Sequence, residues 1–187
     1  IDIEVACENG FPNVKDAAEE MLSITIKNQQ NKQIFVWGVG KYKTDRKDVV
    51  YIECDNEYEL LTEFLKFWKV NQPDVITGWN TEFFDIPYLC NRIKRIMGED
   101  TLKDLSPWRS VLSKTIYQMG RQHQIYEIQG VAALDYYDLY RKFTYTNQES
   151  YKLDHIASVE LGIKKDENPH DTFTVSYTHL TLPTKRI

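Results

Sequence analysis

Hydrophobic and polar residues alternate in several short stretches along the first half of the chain. The opening run 1–5 (IDIEV) has the period of two that is typical of a β-strand with one buried face. Similar short apolar runs, bounded by turn residues, predict further strands at about 22–26, 34–39, 49–52 and 74–78. The chain is therefore expected to contain a sheet from its first residues onward.

Helical spacing, with apolar residues three to four positions apart, follows these strands. Asn56 is a plausible N-cap for a helix that carries Leu60, Phe64 and Trp68 on one face. A second amphipathic helix is predicted over 86–97, with its basic residues Arg92, Lys94 and Arg95 on solvated faces. Shorter helices are predicted through 138–143, after a strand end at 132–135, and over 153–161, where Gly162 ends the last one.

Alternation of strands and helices favours an α/β fold with a mixed sheet flanked by helices. Between 115 and 128, two β-prone arms flank the turn-like residues 119–122, which indicates an inserted β-hairpin.

The composition narrows the range of functions. The chain has 187 residues, of which 42 % are hydrophobic and 27 % charged, as in a globular protein. Cys7, Cys54 and Cys90 lack the C-x-x-C spacing of a zinc site, and they suit a reducing compartment. The net charge of −5 is unlike that of a protein that attracts nucleic acid by overall charge. Any nucleic-acid role therefore needs a local site with metals.

Acidic residues supply the candidate chemistry. Asp2 and Glu4 share one face of the first strand, where two like charges favour a bound divalent cation, although such a pair alone is typical of a solvated edge. Asp85 lies where a strand and a glycine turn lead into a helix; alone it would be a helix N-cap, and Asn80 alone a turn residue. Together the three carboxylates form an oxygen-ligand set suited to Mg²⁺ or Mn²⁺.

Two such ions, about 3.5–4 Å apart, can activate a water and stabilise the leaving oxygen of a phosphodiester. Other catalytic motifs are missing from the sequence: it has no P-loop, no G-x-G-x-x-G and no H-E-x-x-H. Asp135, Asp138 and Asp154 are interpreted as caps or local hydrogen-bond partners.

The D-I-E run at 2–4 and the N-x-x-x-F-D run at 80–85 resemble the first two exonuclease motifs of the family B DNA polymerases. Longer runs are similar to members of that family from T-even bacteriophages, and this similarity continues to about Gly162. These runs are GFP (10–12), GWN (78–80), FDIPY (84–88), LSP (105–107), LDY (134–136), DLY (138–140) and TNQ (146–148).

The resemblance implies a proofreading 3′→5′ exonuclease domain of the ribonuclease H-like fold, spanning residues 1–174. In the family, the residue matching Asp2 bridges two Mg²⁺ or Mn²⁺ ions, Glu4 helps to hold the ion with the attacking water, and Asp85 the other. Residues matching Phe11, Asn80 and Phe84 contact the frayed primer strand: the first stacks on its bases, and the others lie near its 3′-terminal nucleotides. Residues 113–130 match a β-hairpin that helps to part primer from template.

The resemblance also implies partners and a location. The parent protein is expected to be a DNA-directed DNA polymerase that binds the single-stranded 3′ end of the primer, the primer–template duplex and deoxynucleotides. The other expected partners are the polymerase domains of the same protein and a sliding clamp, which would bind through elements outside this chain. No membrane association is expected. The expected location is the cytoplasm of an infected host cell, or a bacterial cytoplasm, without secretion.

Two departures from the family pattern qualify these expectations. The family completes its site with a fourth carboxylate in a Y-x-x-x-D motif, which neither Tyr136-Tyr137-Asp138 nor the run 151–154 supplies. The chain also begins mid-strand without Met, so a fragment truncated at both ends is expected. Because one metal ligand is missing, this fragment is expected to have little or no exonuclease activity by itself. Residues 175–187 (VSYTHLTLPTKRI) resemble translated sequencing-adapter readthrough and are predicted to be non-native; the alternative is a genuine β-strand with a basic tip.

Two other functions remain open from the sequence. One is a free-standing exonuclease of the DEDD type, which would not need the hairpin. The other is an exonuclease-like domain that has lost catalysis and only holds single strands. The intact Asp2, Glu4 and Asp85 argue against the second of these.

Overall fold

The structure is a computed structural model, and it describes residues 1–7, 10–118 and 120–163. The eight strands of this part of the chain are β1 (Asp2–Val5), β2 (Met21–Lys27), β3 (Ile34–Val39), β4 (Val49–Cys54), β5 (Val75–Gly78), β6 (Val111–Gln118), β7 (Arg121–Ile128) and β8 (Ala132–Asp135). The helices are α1 (Glu57–Val70), α2 (Asp85–Met97), α3 (Glu99–Leu102), α4 (Tyr136–Phe143) and α5 (Leu153–Leu161), with a 3₁₀ turn at Lys103–Leu105. The tail 175–187 lies outside the described residues.

The strands form three sheets. The largest has the order β1-β2-β3-β4; its first two pairs are antiparallel and β3 runs parallel to β4, so the predicted mixed α/β character is confirmed. β5 pairs in parallel with β8, as expected for strands joined through helical and other segments. β6 and β7 pair antiparallel from Val111 opposite Ile128 to Gln118 opposite Arg121, a longer pairing than the sequence predicted.

The first two sheets approach each other at the start of the chain. The Ile1 amine donates a hydrogen bond to the Thr77 carbonyl oxygen at 2.8 Å, which brings β1 beside the end of β5. A β-carbon on Gly78 would lie 2.6 Å from the Ile1 carbonyl oxygen and 2.3 Å from Cγ2 of Thr81. Only glycine fits this approach, and the loop that follows β5 therefore begins next to β1.

The hydrophobic core lies between the large sheet and helices α1 and α2. Trp37 of β3 packs edge-on against Phe64 of α1, and Trp68 donates its indole N–H to the Leu105 carbonyl oxygen at 2.8 Å. The predicted cap of α1 is confirmed, since Asn56 accepts a hydrogen bond from the Glu59 amide at 3.0 Å. Among the helices of the described chain, none combines the length and the apolar character that a membrane crossing requires.

A buried ion pair joins the two core helices, and it corrects the sequence prediction for Arg92. Instead of lying on a solvated face, Arg92 is only 4 % exposed, and its Nε and Nη2 both donate to the Glu57 carboxylate at 2.6 Å. Its Nη1 donates to the carbonyl oxygens of Ala17 and Ala18, and the Met21 amide donates to Glu57. The pair ties α1, α2 and the chain entering β2 together.

Candidate active site

The β1 strand presents its acidic residues on one face. Ile3 and Val5 are buried in the core, while Asp2 is exposed and Glu4 partly exposed on the opposite face. The period-two pattern therefore produces the arrangement of the two carboxylates that the sequence suggested.

Asp85 lies at the start of α2 with its carboxylate turned towards β1. It is 4 % exposed, and its Oδ1 accepts a hydrogen bond from the Ile3 amide at 3.0 Å. The N-cap position of α2 belongs to Phe84, without any side-chain cap, so the interpretation of Asp85 as a helix cap is wrong. A contact between residues 82 positions apart places this carboxylate between the backbone of β1 and the helix that follows β5.

The electrostatics of Asp85 are those of a crowded acidic site. Burial, and after it the negative charge of Asp2, raise the pKa of Asp85 to about 7, although the Ile3 amide opposes the shift. A carboxylate that is both desolvated and close to a like charge is costly in its ionised form. A cation bound beside Asp2 and Asp85 would remove much of that cost.

The donor chemistry fits a hard divalent ion, since Asp2, Glu4 and Asp85 offer only oxygen atoms. Their side chains do not form a ready cluster, however: in residues 1–7, 10–118 and 120–163, no group of three or more His, Cys, Asp or Glu side chains is placed to hold a metal. The structure thus brings Asp85 beside β1 and within electrostatic reach of Asp2, without closing all three carboxylates around one point.

Without metal, Asp85→Asn is expected to make the chain more stable at neutral pH. The raised pKa means that the folded state holds a proton on Asp85 that the unfolded state releases, so stability falls as pH rises from about 4 to 7 and then stays low. Asparagine keeps the Oδ1 acceptor for the Ile3 amide and carries no charge. Urea unfolding in EDTA should give equal stabilities near pH 4 and a gain of about 1–3 kcal/mol for the variant at pH 8.

The matched control for this measurement is Asp100→Asn. The pKa of Asp100 is lowered, first by a hydrogen bond from Lys103, so its removal should bring no gain at high pH. A variant of Asp85 that gains nothing between pH 4 and 8 would contradict the described burial of the carboxylate.

Two aromatic rings in mutual contact, the exposed Phe11 and the partly buried Phe84, lie near the start of α2. The Phe11 and Phe84 ring centroids are 5.1 Å apart, and Phe84 also packs against Tyr88 at 5.8 Å. Phe11 is 82 % exposed, so its ring is open to a planar ligand. The structure brings two of the three predicted DNA-contacting residues into contact with each other, Phe11 from the segment after β1 and Phe84 from the residue before α2.

The third, Asn80, lies in the loop 79–84 between β5 and α2 and has a positive φ of 63°. Its amide donates to Oδ1 of Asp135 at 2.9 Å, and the Glu82 amide donates to Oδ2 of the same residue at 2.9 Å. The sequence suggested only a local role for Asp135. The sequence could not reveal the contact with the loop, because it depends on the pairing of β5 with β8, which places Asp135 opposite Gly78.

The β7 strand also contacts this region through residues that the sequence did not single out. His123 packs against Phe83, with ring centroids 4.9 Å apart. Asn91 of α2 accepts a hydrogen bond from the Tyr126 hydroxyl at 2.5 Å and donates to the Val14 carbonyl oxygen at 2.9 Å. Asn91 therefore connects three parts of the molecule: helix α2, which begins at Asp85, strand β7, and the segment after Phe11. No local pattern marks an asparagine in a helix for this role.

Taken together, these features describe an α/β domain that carries acidic side chains on and beside β1, with the exposed ring of Phe11 packed against Phe84 nearby. Residues 1–156 match the family described as DNA polymerase family B, exonuclease domain. The chain therefore belongs to the exonuclease domain family of the family B DNA polymerases, as the sequence motifs indicated.

Individual relatives are phage and viral polymerases. The chain is 39 % identical over 189 residues to the DNA-directed DNA polymerase of Escherichia phage RB69, a match that covers 88 % of this chain and 21 % of the phage protein. It is 45 % identical over 123 residues to that of Enterobacteria phage T4, covering 66 % of this chain and 14 % of the relative. The DNA polymerase catalytic subunit of Human herpesvirus 7 is 29 % identical over 179 residues, with 88 % and 17 % covered. The chain thus spans about a fifth of the length of such relatives.

Proposed function

We propose that this exonuclease domain is of the ribonuclease H-like, 3′→5′ proofreading kind, and that it removes the terminal nucleotide of single-stranded primer DNA by two-metal hydrolysis. The observation that carries the proposal is the Asp85 carboxylate, which is buried against β1 and whose pKa is raised first by that burial and then by the negative charge of Asp2. A buried acid beside a second acid is a costly arrangement that ligand binding would explain.

Each residue has a distinct part in this reaction. Asp2 would help to hold both ions, while Glu4 and Asp85 would each help to hold one of them. Mg²⁺ or Mn²⁺, when bound, supplies Lewis acidity that activates water and neutralises charge on the phosphodiester. The exposed Phe11 ring stacks on the bases of the frayed strand, which tolerates any sequence, and Asn80 and Phe84 lie near its 3′-terminal nucleotides.

We further propose that β6 and β7 form the inserted hairpin that helps to part primer from template. The support is the attachment of β7 to the site: His123 packs on Phe83, and Tyr126 is hydrogen-bonded to Asn91 of α2. The exposed β6 strand leaves the outer face of this two-stranded sheet open to DNA.

The wider context is part of the same proposal. Residues 1–174 are part of the exonuclease domain of a phage-type replicative DNA polymerase. In that protein, a fourth carboxylate from a Y-x-x-x-D motif completes the site. Residues 175–187 are non-native. Polymerase domains, primer–template DNA and a sliding clamp are its partners, in the cytoplasm of an infected or bacterial cell. The complete reading frame tests this: Y-x-x-x-D and polymerase motifs should follow the matched region, whereas a stop codon would favour a free-standing exonuclease.

Removal of the metal tests the chemistry directly. The complete polymerase is expected to release mononucleotides from the 3′ end of a 5′-labelled single strand in Mg²⁺, and to stop when EDTA is added, because the carboxylates alone cannot activate water or neutralise the phosphate. Mn²⁺ should restore the release. The 187-residue chain by itself is expected to show little of this activity, and a rate near that of the complete polymerase would contradict the need for a fourth ligand.

A further inference from the structure

The Asp135 carboxylate, at the end of β8, accepts hydrogen bonds from three backbone amides. Its Oδ1 accepts from the Asn80 and Tyr137 amides and its Oδ2 from the Glu82 amide, each at 2.9 Å. The side chain is 8 % exposed, so these amides replace the water that would otherwise solvate it. Both oxygens are engaged, and all three donors are uncharged backbone groups.

Capping of α4 accounts for only one of these bonds. Asp135 is the N-cap of α4, and the bond from Tyr137 serves that purpose, which serine or asparagine would also fulfil. The other two bonds reach residues 53 and 55 positions earlier in the chain, in the loop between β5 and α2. Two acceptor oxygens on a short side chain are needed to hold both amides and the cap, and only aspartate meets all of these requirements.

The loop that Asp135 holds has an unusual backbone shape. Asn80 has a positive φ of 63°, a conformation that asparagine tolerates better than most residues but that still needs support. Its carbonyl oxygen accepts bonds from the Phe83 and Phe84 amides at 3.3 and 3.2 Å, so the turn at Asn80 sets the position of the residues before Asp85. Trp79, one residue earlier, packs edge-on against Tyr137 of α4, with ring centroids 5.8 Å apart, so the start of the loop is also held against α4.

We propose that Asp135 is a positioning residue for the exonuclease reaction: it holds the loop 79–84 through two backbone amides in the shape that presents Asn80 and Phe84 to the 3′-terminal nucleotide. It acts without contact to DNA or metal. This inference rests on the proposed function, and it assigns to Asp135 a role in binding the primer end that differs from capping α4.

Asp135→Ser in the complete polymerase tests the inference. Serine retains the cap of α4 but cannot accept from both loop amides, so the KM for single-stranded 3′ ends should rise about ten-fold or more, with a smaller change in kcat. The Mg²⁺ concentration that gives half-maximal rate should not change, because Asp135 is not a ligand. Excision is measured well below the melting temperature of each variant, so that unfolding does not contribute.

The matched control is Asn56→Ala, which removes the N-cap bond of α1, a helix that carries none of the candidate site residues. It should lower the melting temperature without changing KM or kcat. If Asp135→Ser does not fold, Asp135→Asn is used instead. The NH₂ group of asparagine would replace Oδ2 and cannot accept from the Glu82 amide, so one loop bond is lost and the rise in KM should be smaller.

The outcomes separate the two proposals. If Asp135→Ser leaves the KM for the DNA end unchanged while Asp85→Asn abolishes excision, the positioning role is wrong and the proposed function stands. If Asp85→Asn has no effect on excision, or wild-type excision does not depend on metal, the proposed function itself fails.

Discussion

Asp2→Asn and Asp85→Asn in the complete polymerase are each expected to reduce the excision of 3′-terminal nucleotides on the order of 10³-fold while DNA synthesis continues. Each substitution keeps the shape of the side chain but removes a charged oxygen ligand. Asp85→Asn also keeps the acceptor for the Ile3 amide, so its effect cannot be ascribed to a lost structural bond. The measurement is mononucleotide release from single-stranded DNA, with primer extension assayed in parallel.

The double variant sharpens this test. If Asp2 and Asp85 serve one metal-dependent step, removing both should cost little more than removing either, because groups that act as a unit are not additive. Asp138→Asn is the matched control, since Asp138 lies in the neighbouring α4 helix and pairs there with Lys142. Excision at the wild-type rate by either single variant would refute the assignment of the site.

Arg92→Met is expected to lower the free energy of unfolding by about 3–5 kcal/mol, because it leaves the Glu57 carboxylate buried and uncompensated. The carbonyl oxygens of Ala17 and Ala18 would also lose their donor. Adding Glu57→Gln should recover part of the loss, since glutamine still accepts from the Met21 amide without a charge. Urea unfolding of the 187-residue chain measures both variants against the wild type.

Lys94→Met is the control on the same helix. Lys94 pairs with Glu99 at 3.1 Å in a geometry that leaves both side chains largely exposed, and such pairs contribute about 0–1 kcal/mol. An Arg92 variant no less stable than the Lys94 variant would show that the buried pair does not stabilise the fold.

Local signals were sufficient for most of the fold. The strand predicted at 34–39 has the same bounds in the structure, and the cap of α1 at Asn56 was read correctly from residue type and spacing. These features depend on neighbours within a few residues. The burial of Arg92 does not: its partner Glu57 lies 35 residues earlier, and without that information a basic residue on an amphipathic helix is expected to face solvent.

The site divides in the same way. The common face of Asp2 and Glu4 follows from strand periodicity alone. Asp85 is different, since local rules favour a helix cap, and it was linked to Asp2 and Glu4 only through the shared chemistry of three carboxylates and the resemblance to polymerases. The prediction of Asp135 as a helix cap is confirmed, but its bonds to the loop 79–84 could not be predicted from either source, because they depend on the parallel pairing of β5 with β8 across more than fifty residues of intervening chain.

The attachment of the β6–β7 sheet at one end, mainly through β7, has a consequence for protein engineering. Ile125, Tyr126 and Ile128 of β7 are buried, and Asn91 holds Tyr126, whereas most of β6 and the start of β7 are exposed. The base of this sheet is thus built into the domain, and its outer half is not. Lengthening or shortening the outer half by equal numbers of residues on both strands keeps the register at the base, so the reach of this element can be altered without disturbing the carboxylates.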